Sequence, residues 1–328
     1  MTAVVITLLL SIILCGSYQW FARTRGLLDS PTERSSHTLP TPHGGGAALL
    51  SAFALGLLFA APLYGRWDDV FVALASAAML LMVLGIADDL RGLSVRLRLA
   101  IYGLVCLLMA VVLLQKGSTG NVVWDAVLVL LAAFALLWTI NLFNFMDGID
   151  GIAAIQTLLA CCGAATLVWL TSRDGEYILF CLLLAAAHGG FLVWNYPPAR
   201  LFMGDAGSVP TGFLLASLAI LGAVQGQLNP LCWLVLLAVF ITDATWTLLW
   251  RVGTGQAFTQ PHRLHAYQRL SRHWRSHLSV NKLLLAINML WLFPLALAIL
   301  KWPDTGLILV FLAYLPLVIG VAKTGRLS

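Results

Sequence analysis

The chain has 328 residues, of which 60% are hydrophobic and only 10% charged, with a mean hydropathy of +0.91 and a formal net charge of +5. A soluble domain carries about 25% charged residues, so this composition excludes a water-soluble globular protein. Its apolar stretches run for roughly 16 to 21 residues without the two-residue alternation of a barrel strand, which excludes a β-barrel and predicts an all-α, polytopic membrane helical bundle.

The first apolar stretch, 2–21, has neither a basic leader nor a small-residue cleavage site, and Arg23 and Arg25 follow it. It reads as a retained helix with its N-terminus outside. Ten further spans are expected at about 46–64, 70–87, 99–114, 125–143, 152–172, 177–194, 209–224, 231–250, 283–300 and 306–322. Eleven spans put the termini on opposite sides. One set of connections holds 15 of the 19 Lys and Arg residues, so it is assigned to the cytoplasm and the C-terminus with it. The basic balance therefore reflects membrane orientation. No basic run with interleaved aromatics suggests nucleic-acid binding. The external connections are short, and 1–328 reads as one integral membrane domain. All six cysteines lie inside apolar stretches without metal-ligand spacing, as small buried hydrophobes do.

The unusual residues fall in the cytoplasmic connections. The first contains "LLDSPTERSSHTLPTPHGGG", with Asp29, Glu33, His43, Gly44 and Gly45. Its glycines suit either close approach to a phosphate or tight helix packing. The second is "ADDLRGLSVRLRL", where the adjacent carboxylates Asp88 and Asp89 stand at the membrane border. Arg91, Arg96 and Arg98 follow, and each singly reads as a positive-inside anchor. The third is "NLFNFMDGIDG". Asn141, Asn144 and Asp147 recur every three residues and share a stripe, and Asp150 follows in a second Asp-Gly pair. Two amides and two acids at the lipid border exceed what a turn needs, and burying them unpaired is costly.

The fourth connection, "FMGDAGS", sets Asp205 between glycines, a pattern that lets backbone N–H groups meet an anion while a carboxylate holds a metal. The fifth carries His262, Arg263 and His265 in "HRLHAYQ", then His273 and His277. These histidines and arginines suit phosphate better than zinc, and the last two fit the polar face of an interfacial helix. Asp243 lies within a span, either as a functional acid or paired with Arg251.

"ADDL", "NLFNFMDGIDGIAA", "FMGDAGS" and the late His-rich loop, in that order, resemble the polyprenyl-phosphate N-acetylhexosamine-1-phosphate transferases. This is the glycosyltransferase family 4 group that includes phospho-MurNAc-pentapeptide translocase. The resemblance spans almost the whole chain, and "LLDSPTERSSHTLPTPHGGG" is similar to the branch that starts O-antigen-like surface glycans. It implies transfer of an N-acetylated amino-sugar-1-phosphate from a UDP-sugar to undecaprenyl phosphate, with release of UMP, at the cytoplasmic face of a bacterial inner membrane. It implies Mg²⁺, with Mn²⁺ as a substitute, held by Asp205 first and Asp147 second.

By the same resemblance Asp88 is the base for the lipid phosphate, or alternatively a nucleophile, and Asp89 supports the metal or the base. Asn141, Asn144 and Asp150 shape the nucleotide or metal pocket, while His262, Arg263 and His265 hold the diphosphate or sugar. The expected partners are the UDP-amino sugar, undecaprenyl phosphate and membrane lipids, with a homodimer compatible and no nucleic acid. Many relatives have a late H-x-H-H cluster where this chain has H-x-x-H, and Arg where it has His43, so the sugar stays open among GlcNAc and its 6-deoxy relatives. The alternative reading is a transporter or lipid flippase working through border carboxylates.

Overall fold

A computed structural model describes residues 1–29, 40–64, 67–256 and 263–325. The chain begins with α1 (Thr2–Thr24), a two-residue antiparallel ladder of β1 (Leu28–Asp29) with β2 (Thr41–Pro42), and α2 (Gly46–Tyr64). Long helices follow: α3 (Asp69–Arg91), α4 (Val95–Leu114), α5 (Val122–Met146), α6 (Ile152–Leu170), α7 (Gly175–Asn195) and α8 (Asp205–Val224). The remainder is α9 (Pro230–Leu236), α10 (Ala238–Gly253), the short α11 (Ala266–Trp274), α12 (His277–Ile287), α13 (Phe293–Lys301) and α14 (Gly306–Thr324). A wide π-type turn over Asn288–Leu292 joins α12 to α13, ahead of Pro294, which has no N–H to offer the ladder.

Every one of the eleven expected stretches is helical. Nine helices, counting His277–Lys301 as one, are long and apolar enough to cross a bilayer among the described residues, and α9 with α10 makes a tenth if that pair is one span. Within α2 the apolar stretch Gly46–Pro62 is shorter. The outer surface is lipid-like, with Leu58, Leu130, Phe134, Leu290 and Leu307 largely exposed. Such a surface cannot face water, and this is a multi-pass membrane protein.

One expected span, 231–250, is broken. Its halves α9 and α10 bend by 72° at Leu237. A bend exposes carbonyls that lipid cannot satisfy. Here Gln156 on α6 donates to Leu236 O at 2.8 Å, and Tyr314 on α14 donates to Leu234 O at 2.8 Å. Gln156 is itself tied to Asn288 at the π-turn.

Polar residues at one end of the bundle are accounted for as helix caps. Asp68, Asn121, Asp174 and Asn229 each accept a backbone N–H bond at the start of α3, α5, α7 and α9. At the other end glycines bring three helices together. Gly46 on α2 lies against the backbone of Gly207, and Gly85 on α3 lies against Ala206, so the first turn of α8 is clasped from two sides. A Cβ added at Gly85 would stand 2.6 Å from Ala206 Cα, and backbone cannot yield as a side chain can. Gly85→Ala is therefore expected to destabilise the protein by about 1–3 kcal/mol, the usual range for overpacking. Gly320→Ala on α14, where nothing lies within 4 Å, is expected to leave it unchanged. Thermal unfolding of both variants in detergent checks the contrast.

Candidate active site

The site is built on the N-terminus of α8. Gly204 precedes the helix at φ 74°, a left-handed backbone that favours glycine, and a Cβ there would also meet Asp89 and His43. Helix starts leave backbone N–H groups without partners. At α8 the first two are met by a side chain from another helix: Asp89 Oδ1 accepts from Asp205 N at 3.1 Å and Asp89 Oδ2 from Ala206 N at 3.2 Å. His43 Nε2 lies 3.8 Å from Asp89 Oδ1. The anion that meets the "FMGDAGS" amides is thus the protein's own Asp89. Asp89, expected among the catalytic residues, is thus engaged by two backbone amides at the start of α8.

Asp205, now fixed at the helix start, is reached from both sides. Asn144 Nδ2 donates to Asp205 Oδ1 at 2.6 Å and lies 3.3 Å from Ser208 Oγ. Arg98 Nη1 donates to Asp205 Oδ2 at 3.3 Å and to Asp88 Oδ2 at 2.7 Å. Asp88 is buried, and its other oxygen accepts from Leu93 N at 2.6 Å, which holds the turn after α3. Three distant segments are joined by one guanidinium. That role for Arg98 was missed in the sequence, where it looked like one of three anchors. The available signal was its spacing ten residues beyond Asp88, across a short turn that folds α4 back beside α3.

Asp147 is different. It follows the last residue of α5, and no donor among the described residues bonds its carboxylate. Burial holds this carboxyl well above the usual carboxylate range, and the charges of Asp205, Asp89 and Asp150 push it further in the same direction. Together with Asp205, Asn144, Asp150 and His43 it lines a cavity of about 280 Å³. Asp29, Asn195, Ser208 and Gln268 complete the polar part of that wall. Carboxylate and amide oxygens dominate this lining, the chemistry of a hard divalent cation rather than of zinc. Among the described residues no three His, Cys, Asp or Glu side chains are grouped to hold an ion by themselves. A cation here would share its coordination with a ligand's oxygens, as Mg²⁺ does with phosphates.

The loop carrying Asp147 is held from beneath. Tyr267 Oη donates to Phe145 O at 2.9 Å and sits against Gly148, where a side chain would collide with it. Tyr267 is placed by Asp243, whose carboxylate accepts from Ala266 N at 2.9 Å and Tyr267 N at 3.0 Å and so caps α11 from α10. His265 Nδ1 lies 3.2 Å from the same carboxylate. The intramembrane acid is therefore a helix cap with a histidine partner.

Several expected contacts lie elsewhere. His265 is buried against Asp243 and does not line the cavity, and Arg263 stands outside the lining too. His262 falls outside the described residues. Asn141 Nδ2 donates to Leu137 O of its own helix at 2.7 Å, since α5 is still regular there. Gly45 N and Gly46 N donate to Phe202 O and Met203 O, and Gly44, at φ 90°, lies against Tyr18 Oη. Of the two readings of the glycine run, close packing is the one this geometry carries. Asp150 lines the cavity, yet its carboxylate accepts from Ala199 N at 3.1 Å and lies 3.0 Å from His277 Nδ1. His277 thus ties α12 to the site loop and is no exposed polar face.

Fold and site together define a polytopic membrane protein with an acid-lined cavity at one end of its helices. The sequence family described as glycosyl transferase family 4 matches residues 71–223, the stretch that contributes Asp88, Arg98, Asp147 and Asp205. The chain is 28% identical over 291 residues to the probable undecaprenyl-phosphate N-acetylglucosaminyl 1-phosphate transferase of Bacillus subtilis (strain 168), covering 84% of this chain and 78% of that one. It is 30% identical over 289 residues to the decaprenyl-phosphate N-acetylglucosaminephosphotransferase of Mycolicibacterium smegmatis, covering 77% and 70%. A phospho-N-acetylmuramoyl-pentapeptide-transferase of Moorella thermoacetica is 34% identical over 199 residues, 55% of this chain and 61% of its own. The chain belongs to glycosyl transferase family 4.

Asp89 and Asp147 are expected to respond oppositely to the same substitution. Asp89→Asn turns an NH₂ group, which cannot accept, towards one of two helix-start amides and should lower stability by about 1–2 kcal/mol. Because the Asp147 carboxyl is raised by burial, its contribution is present below the unfolded carboxyl pKa of about 4 and is lost as pH rises above it. Asp147→Asn should therefore be as stable as the parent or more so at neutral pH without divalent cations, with a flatter pH dependence. Unfolding midpoints of the two variants between acid and neutral pH measure both effects.

Proposed function

We propose that the chain transfers an N-acetylated amino-sugar-1-phosphate from a UDP-sugar to undecaprenyl phosphate at the cytoplasmic face of a bacterial inner membrane, releasing UMP and initiating an O-antigen-like surface glycan. The observation that carries this reading is the meeting of Asp147, Asp205 and Asn144 in the wall of one cavity, with Arg98 bonded to Asp205 beside it. The relatives' names, which join a polyprenyl phosphate to an N-acetylglucosamine phosphate, support it.

In this reaction an oxygen of the lipid phosphate attacks the sugar-bearing phosphorus of the donor. The bond from that phosphorus to the bridging oxygen breaks, and the bridging oxygen leaves with UMP. Two polyanions must be brought together, so positioning and charge neutralisation supply most of the rate. Arg98 offers its guanidinium to the incoming phosphate. Asp88 takes the proton of that phosphate. Both its oxygens are already engaged, by Leu93 N and Arg98, which suits a fixed base better than a nucleophile. Asp205 and Asp147 would hold Mg²⁺, with Mn²⁺ as a substitute, and the ion would neutralise the donor diphosphate. Asn144 orients Asp205, and Asp89 and Tyr267 keep the two carboxylate-bearing segments in place.

The bent pair α9 and α10 is a feature that the transport alternative also predicts. The side chains that meet the bend are the neutral Gln156 and Tyr314 and, through Gln156, Asn288, which satisfy the freed backbone. That favours the enzyme.

The test follows a donor labelled in the phosphate next to the sugar, with purified protein, polyprenyl phosphate and Mg²⁺. Label should enter the lipid phase as UMP appears, and chelation should stop it. Asp147→Asn and Asp205→Asn should each lower turnover by about a hundredfold or more, the scale on which loss of electrostatic stabilisation is felt. Release of UDP would mean ordinary glycosyl transfer. Movement of lipid across vesicles without product would establish transport.

A further inference from the structure

Tyr102 is not used by anything above. It lies on α4 four residues beyond Arg98, so the two side chains share a face of that helix. The residue is 5% exposed, and its hydroxyl has no hydrogen-bond partner among the described residues. Buried phenols normally find one, because leaving water without a replacement bond is costly. Arg98, one turn away on the same face, is bonded to both Asp88 and Asp205.

Those carboxylates are already engaged. Asp88 is held by Leu93 N and Arg98, Asp205 by Asn144 and Arg98, and Asp89 by the two amides of α8. A hydroxyl left over in such a cluster is a donor without an acceptor. An anionic oxygen brought by a ligand would suit it, since Arg98 stands one turn away. Its direction follows from the surroundings. Asp205 lines the cavity of the site, but Arg98 and Tyr102 lie outside that lining. Arg98 is itself partly exposed, and on α4 Val95 and Leu99, which flank its face, are exposed on the apolar surface. A phosphate carried on an apolar chain can reach Arg98 from the membrane, whereas a soluble donor enters the cavity.

We propose that Tyr102 contacts the acceptor phosphate, donating its O–H bond to an anionic oxygen of the prenyl phosphate that Arg98 draws towards Asp88 and Asp205. The assignment deepens the transferase reading and rests on it. In the resting protein the hydroxyl is unsatisfied, and the lipid phosphate satisfies it. Tyr102 thereby contributes to acceptor binding and not to donor binding.

Tyr102→Phe keeps the ring and removes only the hydroxyl. Without ligand, its unfolding midpoint in detergent should equal or exceed that of the parent, because a buried unpaired donor has gone. The KM for polyprenyl phosphate should rise about tenfold, the usual loss for one hydrogen bond to a charged group, with the KM for the UDP-sugar unchanged. A short prenyl phosphate, added without donor, should stabilise the parent against heat and stabilise the variant only at about tenfold higher concentration. An unchanged lipid KM and unchanged prenyl phosphate binding would overturn the proposal. So would a lower midpoint in the unliganded variant, which would mean the hydroxyl already has a partner in the protein. Loss of stabilisation by phosphatidic acid but not by prenyl phosphate would assign the contact to a bilayer headgroup and likewise overturn it. The binding arm needs no turnover, so a failure of the transferase reading is distinguishable from a failure of this one.

Discussion

The bond from Asp89 to the first two amides of α8 is the interaction on which the site depends. A helix beginning inside protein at the membrane border leaves N–H groups that neither lipid nor bulk water satisfies. Asp89 meets both and, in doing so, fixes α3 to α8. The glycine contacts at Gly46 and Gly85 allow the backbones close enough for that bond to form. Asp205 is the first residue of α8, so its position relative to Asp88 follows from the cap.

The same device recurs on the far side of the site. Asp243 on α10 caps α11, and α11 carries Tyr267 under the loop of Asp147. Asn195 works between the two loops, accepting from Gly151 N at 2.8 Å and donating to Leu201 O at 2.9 Å. Asp150 joins the loop to Ala199 and to His277 at the start of α12. The acids at this end thus divide by partner. Asp89, Asp150 and Asp243 hold backbone amides and histidines. Asp88 and Asp205 share a guanidinium. Asp147 keeps its carboxylate open to the cavity.

That division explains why a strongly acidic pocket can persist in an apolar protein. Burying several like charges raises their energy. Each carboxylate turned to a structural bond is compensated, and Arg98 offsets two more. Asp147 has no such partner among the described residues, and there a cation or a cationic face of a ligand would relieve the charge.

Much was readable from the residues alone. The eleven apolar stretches are all helical, because a segment of that length and hydropathy has no other way to satisfy its backbone in lipid. Asp88, Asp89, Asn144, Asp147, Asp150 and Asp205 do gather at one end, since polar residues at alternate span borders must share a side. What each one does there was decided only by tertiary structure. Arg98 resembled its neighbours Arg91 and Arg96 until α4 folded against α3. His265 looked like a ligand contact and proved to face Asp243, while Asn141 turned back onto its own helix. The break at Leu237 and the orphaned hydroxyl of Tyr102 left no trace in the pattern. Composition and periodicity fix which segments enter the membrane, for those are local balances of hydropathy and hydrogen bonding. Which donor meets which acceptor depends on groups tens to more than a hundred residues apart, and packing alone settles that.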